Sequence, residues 1–310
     1  MRTGTGERIE HLPTSGRTGV REPEPTSPDT DDTRAEPPRE AKREADRTMI
    51  DRSAKPHRIE RFRREPKRRS LVVDRIEDLG PRMRRIAFVS PDLADFDSRA
   101  PDDHIKVFVA DPSAEGKIVM RDYTPRLFDR AARRLTIDFT LHDDGAVTAW
   151  ARTATVGARL DIGGPRGSMV VPDDFDWYLL VGDETALPAI GRRVEELRPG
   201  VAVTTIVVVD GPDDVQTFET AADHRPVWVF RRDLPAGGDL LARDAAALRD
   251  AIEARPSPEG EGYAWIAAEA RVARTLRDHL LEVRHHPRAW LKAAGYWVAG
   301  SAGASDKFDP

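Results

Sequence analysis

The chain of 310 residues contains no cysteine. That single absence removes disulfides, thiolate nucleophiles, cysteine zinc sites and cysteine-ligated iron–sulfur clusters together. Electron transfer, if the protein performs it, has to be carried by an organic cofactor. The eight histidines do not point to a metal either: no His-Glu-x-x-His occurs, and His285-His286 lies in a polar stretch without carboxylates at ligand spacing, so the pair is expected to be solvated. Long apolar runs are missing as well, which leaves no candidate for a bilayer span. The first residues lack the apolar core of a signal peptide, and cytoplasm is the expected location. A net charge of −5 provides no general basic field for nucleic acid. The first 48 residues have no aromatic side chain and six prolines among interspersed charges, too little apolar surface to offset the entropy of ordering.

What is present divides the chain in three. Residues 1–66 are expected to be a disordered charged tail, with the basic stretch Arg58 to Arg69 solvated. Short apolar strands then follow at Leu71-Val72-Val73, Arg85 to Val89, Ile105 to Val109, Leu135 to Leu141 and Leu160 to Ile162. One helical stretch interrupts them, Ala146 to Ala154, so residues 67–172 read as an antiparallel β-barrel of about six strands. Past Pro172 the rhythm alternates. Strands are expected at Trp177 to Val181, Val201 to Val209, Val227 to Phe230 and Tyr263 to Ala267. Helices are expected at Glu184 to Leu197, Asp239 to Ala254 and Ala270 to Val283. Alternating strands and helices imply a parallel sheet wrapped by helices over residues 173–310.

Polar residues interrupt this pattern at Arg121-Asp122-Tyr123-Thr124-Pro125-Arg126, between alternating runs at His104 to Ala110 and Leu135 to His142. The hexapeptide reads as one barrel strand. A guanidinium, a phenol and a hydroxyl in this order suit a flat cofactor with a phosphate tail. The same residues also suit an ordinary strand with a solvated arginine and a cross-strand tyrosine. Gly145-Ala146-Val147-Thr148 opens the helix with small residues and free backbone N–H groups, which fits a pyrophosphate or simply a cap between strands. Beyond the strand ends of the parallel sheet lie Gly182-Asp183-Glu184-Thr185, Asp210-Gly211 and Ala268-Glu269, where such sheets bind ligands. Only one glycine opens the first of these loops, which disfavours the dinucleotide fingerprint of classical dehydrogenases.

Several of these stretches recur in one order: Lys106, Arg121 to Arg126, Asp138 to His142, Gly145 to Trp150, Gly163 to Ser168, Gly182 to Ile190, Ala268-Glu269 and Gly295-Tyr296-Trp297. In that order they resemble the siderophore-interacting protein family over residues 66–302. These are flavin-dependent ferric-siderophore reductases of the ferredoxin-reductase-like superfamily. The resemblance implies an FAD-binding barrel followed by a Rossmann-like NAD(P)H domain. It implies that Arg121 holds the FAD pyrophosphate, Tyr123 stacks on the isoalloxazine and Thr124 contacts its edge. Asp138 and His142 would line the other side of the flavin, with Gly145, Ala146, Val147 and Thr148 as the phosphate loop. Gly182, Asp183, Glu184, Thr185 and Glu269 would face the nicotinamide nucleotide, and Lys106, Arg166 and Trp297 the ferric chelate.

The chain departs from the family pattern at Ala268, at Asp210, and at Val298, where a cation is usual; Lys292 and Lys307 are candidate substitutes. The expected activity is hydride transfer from NAD(P)H to FAD, then single electrons to Fe(III), with no catalytic side chain and no resident metal. A general NAD(P)H:flavin or ferredoxin-type reductase and a non-catalytic siderophore-binding accessory protein stand as alternatives. The expected partners are a ferric siderophore and, as an alternative electron donor, a ferredoxin. The expected state is a monomer.

Overall fold

The computed structural model describes residues 57–112, 114–142 and 145–308, all within one compact unit. The first half contributes β1 (Glu60–Arg63), β2 (Arg68–Asp78), β3 (Met83–Val89), β4 (Ile105–Ala110), β5 (Ile118–Tyr123), β6 (Leu127–Asp129), β7 (Arg134–Thr140), α1 (Ala146–Thr153), β8 (Arg159–Gly163) and β9 (Gly167–Val170). Seven of these strands form one antiparallel sheet in the order β5-β4-β8-β2-β3-β7-β6. Period-two burial explains it: Ile105, Val107 and Val109 of β4 and Leu135, Ile137 and Phe139 of β7 all turn into one core with Phe88 and Ile162.

The second half contributes β10 (Trp177–Asp183), α2 (Leu187–Glu196), β11 (Ala202–Val209), β12 (Asp223–Phe230), α3 (Leu240–Glu253), β13 (Gly262–Glu269), α4 (Ala270–Glu282), β14 (Leu291–Trp297) and β15 (Asp306–Lys307). The sheet order is β12-β11-β10-β13-β14-β15, parallel through β14 and closed at one edge by antiparallel β15. Every residue of β13 is buried, because helices and loops cover both faces of a central parallel strand. Two apolar cores flank the sheet, one built on Tyr178, Ile190 and Val207, the other on Ile206, Leu248 and Leu276.

Four expectations are corrected. The expected disordered tail reaches residue 66, whereas β1 pairs with β9 in register Phe62↔Ser168; residues 1–56 lie outside the described ones. The hexapeptide is not one strand. β5 ends at Tyr123, Pro125 has no N–H for a ladder, and Arg126 N–H rejoins the sheet on the Thr136 carbonyl at 2.9 Å. The barrel sheet has seven strands rather than about six, because three-residue β6 is too short to show a period. His286 is also not solvated: its ring lies 5.7 Å from that of Trp177 and its Nε2 is 3.2 Å from the Trp290 carbonyl oxygen.

Buried charges tie the segment after β5 to the α/β half. Arg126 donates from both terminal nitrogens to Glu195 of α2, at 2.7 and 2.5 Å. Arg192 of the same helix donates to the Pro125 carbonyl at 3.0 Å and to Ser98 Oγ at 2.8 Å. The Thr124–Arg126 linker therefore has its position set by a helix of the other half, and with it the wall of the cleft between them.

Candidate flavin and substrate cleft

A cleft of about 860 Å³ runs between the barrel sheet and the β14 edge of the parallel sheet. From the barrel come Arg121, Tyr123, Thr124, Asp138 and His142, together with Gly145, Ala146, Val147 and Thr148 at the start of α1. From the α/β half come Glu184, Thr185 and Trp297. Gly182, Asp183, Glu269, Lys106 and Arg166 are outside its lining.

Arg121 stands at the end of β5, and among the described residues its guanidinium has only the Met120 carbonyl as hydrogen-bond partner, at 2.8 Å. No carboxylate neutralises it among the described residues. Tyr123 packs its ring 4.7 Å from that of Phe139, which backs one side of the phenol, and burial raises its pKa well above the ordinary value. Thr124 is buried beside it. The N-terminus of α1 has no side-chain cap, so its first N–H groups are left to other acceptors. Gly145 is required there: its φ is +118°, and a Cβ would stand 3.2 Å from the His142 ring. That ring is in turn 3.1 Å from Thr148 Oγ1. An uncompensated guanidinium and an uncapped helix start in one cleft are the donor set that a pyrophosphate needs, so the residues present fit FAD.

Asp138 lines the cleft, yet both of its oxygens are taken by Arg85, at 2.7 and 2.8 Å. Asp183 is a bracket rather than a cleft residue. It accepts from Thr185 N–H at 2.9 Å, Glu269 N–H at 3.0 Å and Trp297 Nε1–H at 2.9 Å. Glu269 caps α4 by accepting from Arg271 N–H at 2.6 Å and Val272 N–H at 3.3 Å, and it accepts from Ala299 N–H at 3.2 Å. Gly182 has no room for a side chain, since a Cβ would stand 2.4 Å from the Ala267 carbonyl oxygen. These three hold the strand ends together and fix Trp297 at the cleft. Burial, then the neighbouring charge of Asp183, push the Glu184 carboxyl up to about 7, while Arg231 at 2.8 Å opposes the shift.

Lys106 pairs with Asp122 at 2.7 Å, and Arg166 is exposed away from the cleft. The sequence reading named Lys292 and Lys307, which do line the cleft, but missed two groups of lining residues around them. One is Asp102, which accepts from Trp265 Nε1–H at 3.2 Å and pairs with Lys292. The other is the rest of the segment from Ser301 to Phe308. Neither carries a periodic or motif signal; both come to the cleft only through tertiary contacts.

The sequence profile described as siderophore-interacting protein matches residues 175–300, and that of the siderophore-interacting FAD-binding domain matches residues 72–117 and 110–169. The chain is 32% identical over 262 residues to the NADPH-dependent ferric-chelate reductase of Escherichia coli K12, covering 79% of this chain and 98% of that one. The chain belongs to the siderophore-interacting protein family. It is also 28% identical to the ferric vibriobactin reductase of Vibrio cholerae, over 70% of this chain and 84% of that one. The crystal structure of a siderophore utilization protein from T. fusca superposes with a TM-score of 0.71 at 32% identity, covering 80% of this chain and 98% of that one. Among the described residues, no helix is long and apolar enough to cross a membrane.

Proposed function

We propose that the protein reduces ferric siderophores with FAD as its cofactor and NAD(P)H as hydride donor. The balance is one NAD(P)H and two Fe(III) giving NAD(P)⁺, H⁺ and two Fe(II). The observation that carries the reading is the pairing, in one cleft, of an arginine without a carboxylate and a helix start without a cap, beside a buttressed tyrosine. When bound, FAD would supply the change from a two-electron donor to one-electron delivery.

The chain's own residues supply position and field. Arg121 and the N–H groups of Gly145 to Thr148 would hold the pyrophosphate. Tyr123, backed by Phe139, offers a ring face to the isoalloxazine, and Thr124 a hydroxyl to its edge. Glu184 and Thr185 would face the nicotinamide, and Trp297, oriented by its bond to Asp183, the ferric chelate. Desolvation of this wall keeps water from the hydride step. Asp138 acts through Arg85, and Glu269 and Gly182 act through the strand ends they brace. Lys106, paired with Asp122 at 2.7 Å, would reach the anionic chelate only by giving up that pair. Hard anionic oxygen ligands hold Fe(III) more tightly than Fe(II), so reduction loosens the chelate. The reaction needs no membrane segment and fits a cytoplasmic monomer, with a ferredoxin as a second route for electrons.

Turnover with a ferrous trap tests the reading. Fe(II) should accumulate only when FAD, NAD(P)H and the ferric chelate are all present. Fe(II) formation at an equal rate without FAD would overturn it.

A further inference from the structure

Among the described residues, five carboxyls line the cleft, and four of them are held by a cation of their own. Asp102 pairs with Lys292, Asp122 with Lys106, Asp138 with Arg85 and Asp306 with Arg274. A carboxylate held in this way keeps its charge and is a poor acceptor for a proton. Glu184 differs. It follows β10 directly, and its cation is Arg231 at 2.8 Å, a guanidinium that also serves Asp244 at 2.8 Å and Asp210 at 3.4 Å. One positive charge is thus divided among three carboxyls. Glu184 Oε2 and Asp244 Oδ1 are buried and accept no hydrogen bond among the described residues.

The elements around Glu184 bring it no second cation. Asp183 beside it is a further negative charge, spent on N–H groups of Thr185, Glu269 and Trp297. At the end of β13, Glu269 caps α4, whose Arg271 pairs with Asp239. From α2, Arg192 turns to Ser98 and Glu195 to Arg126, while the charge of Arg193 reaches Asp102. From the barrel, Arg82 pairs with Asp210 and Asp214. Burial first, then Asp183, therefore leave the Glu184 carboxyl at about 7, where it can both take and give a proton near neutrality. Two histidines also line the cleft. The His142 ring is engaged with Thr148 Oγ1, and desolvation, with the charges of Lys307 and Lys106, holds His104 below its ordinary pKa.

The reaction has a proton to dispose of. A hydride carries two electrons and one H⁺ out of NAD(P)H; the electrons end on two Fe(III), giving two Fe(II), and the H⁺ stays behind where the hydride arrived. A group that faces the nicotinamide faces that point too. Resting on the ferric-chelate reading above, we propose that Glu184 is the acceptor of this proton. Its carboxylate forms an O–H bond with the proton and then gives it up to water on the side of Asp210, which is 41% exposed.

Stopped-flow absorption on FAD-loaded wild type, Glu184→Gln and Glu184→Asp separates the two halves of turnover. Bleaching of the flavin bands by NAD(P)H moves a hydride and frees no proton, so Glu184→Gln should slow it by less than about threefold. Return of the bands with a ferric siderophore frees the proton. In wild type this return should quicken as pH rises through about 7, where Glu184 becomes a carboxylate. In Glu184→Gln it should be about 100-fold slower at pH 8 and flat with pH, the lower end of what a positioned acid or base supplies, and Glu184→Asp should restore part of it. His104→Gln should leave the pH profile as in wild type. Infrared titration reads the same group without turnover: the C=O band of a protonated carboxyl should fade through about pH 7 in wild type and be missing from Glu184→Gln. A wild-type pH profile in Glu184→Gln, bleaching slowed as much as return, or a fading carboxyl band that persists in that variant would overturn the proposal, with FAD uptake and bleaching in wild type intact. A wild-type chain that takes up no FAD would overturn the underlying reading, and the inference with it.

Discussion

Glu195→Ala tests how the cleft wall is held. The Arg126 side chain is 6% exposed, its terminal nitrogens are both spent on Glu195, and its Nε lies 3.8 Å from Asp138 with no hydrogen bond. Without Glu195 the buried cation keeps only Asp138, whose oxygens Arg85 already occupies. Removing one partner of a buried pair costs about 3–5 kcal/mol. Glu195 is itself 29% exposed, so water reaches part of the site and the lower end, about 3 kcal/mol, applies. At roughly 2–4 °C per kcal/mol for a unit of this size, Tm should fall by about 6–12 °C. The double variant Arg126→Met/Glu195→Ala should recover at least half of that loss, since no orphaned charge remains. Urea unfolding and thermal scans of the set measure it. A Glu195→Ala protein within about 1 kcal/mol of wild type, or a double variant no more stable than the single, would refute the reasoning.

Other perturbations separate the parts of the cleft. Arg121→Ala should weaken FAD binding about 10- to 100-fold in a fluorescence titration, the worth of a charge-assisted hydrogen bond, with little change in Tm. Gly145→Ala should cost about 1–3 kcal/mol through its positive φ and should also raise the Kd for FAD, because the new methyl meets the His142 ring. Glu184 has its folded pKa raised from 4.5 to about 7, so burial disfavours its charged form. Wild type should therefore lose stability relative to Glu184→Gln as pH rises from about 4.5 through 7, with no difference between them below that window. Urea midpoints at pH 4 and pH 8 check the sign, and a gap that closes with rising pH would contradict it.

Much of the barrel is legible in the sequence because apolar residues recur at every second position. β4 shows this directly, with Ile105, Val107 and Val109 buried and Lys106 and Phe108 only partly so, whereas β7 keeps the apolar period at Leu135, Ile137 and Phe139 while also burying Thr136 and Asp138 on its second face. The parallel sheet is legible for the opposite reason, continuous apolar runs such as β10 that both faces bury. The cleft is less so. Pro125 is the local sign that the strand stops after Tyr123, but where Thr124–Arg126 then runs is set by α2, through Arg192 and Glu195, which no local pattern announces. The role of Asp138 depends on the β3–β7 register that sets it opposite Arg85. The segment from Ser301 to Phe308 opens as a run of glycine, alanine and serine without a period, and its place rests on an ion pair from Arg274 to Asp306, 32 residues away. Glu269 as a helix cap was readable from its place before Ala270, whereas its bond to Ala299 was not.

The most direct measurement is an anaerobic absorption experiment on the FAD-loaded protein, with NADPH or NADH added first and a ferric siderophore with a ferrous trap second. The flavin bands should bleach with the nucleotide and return as trapped Fe(II) appears, two irons for each nucleotide oxidised. A colourless protein that binds no FAD, or a bleached one whose bands stay down while the ferric chelate persists, would contradict the account.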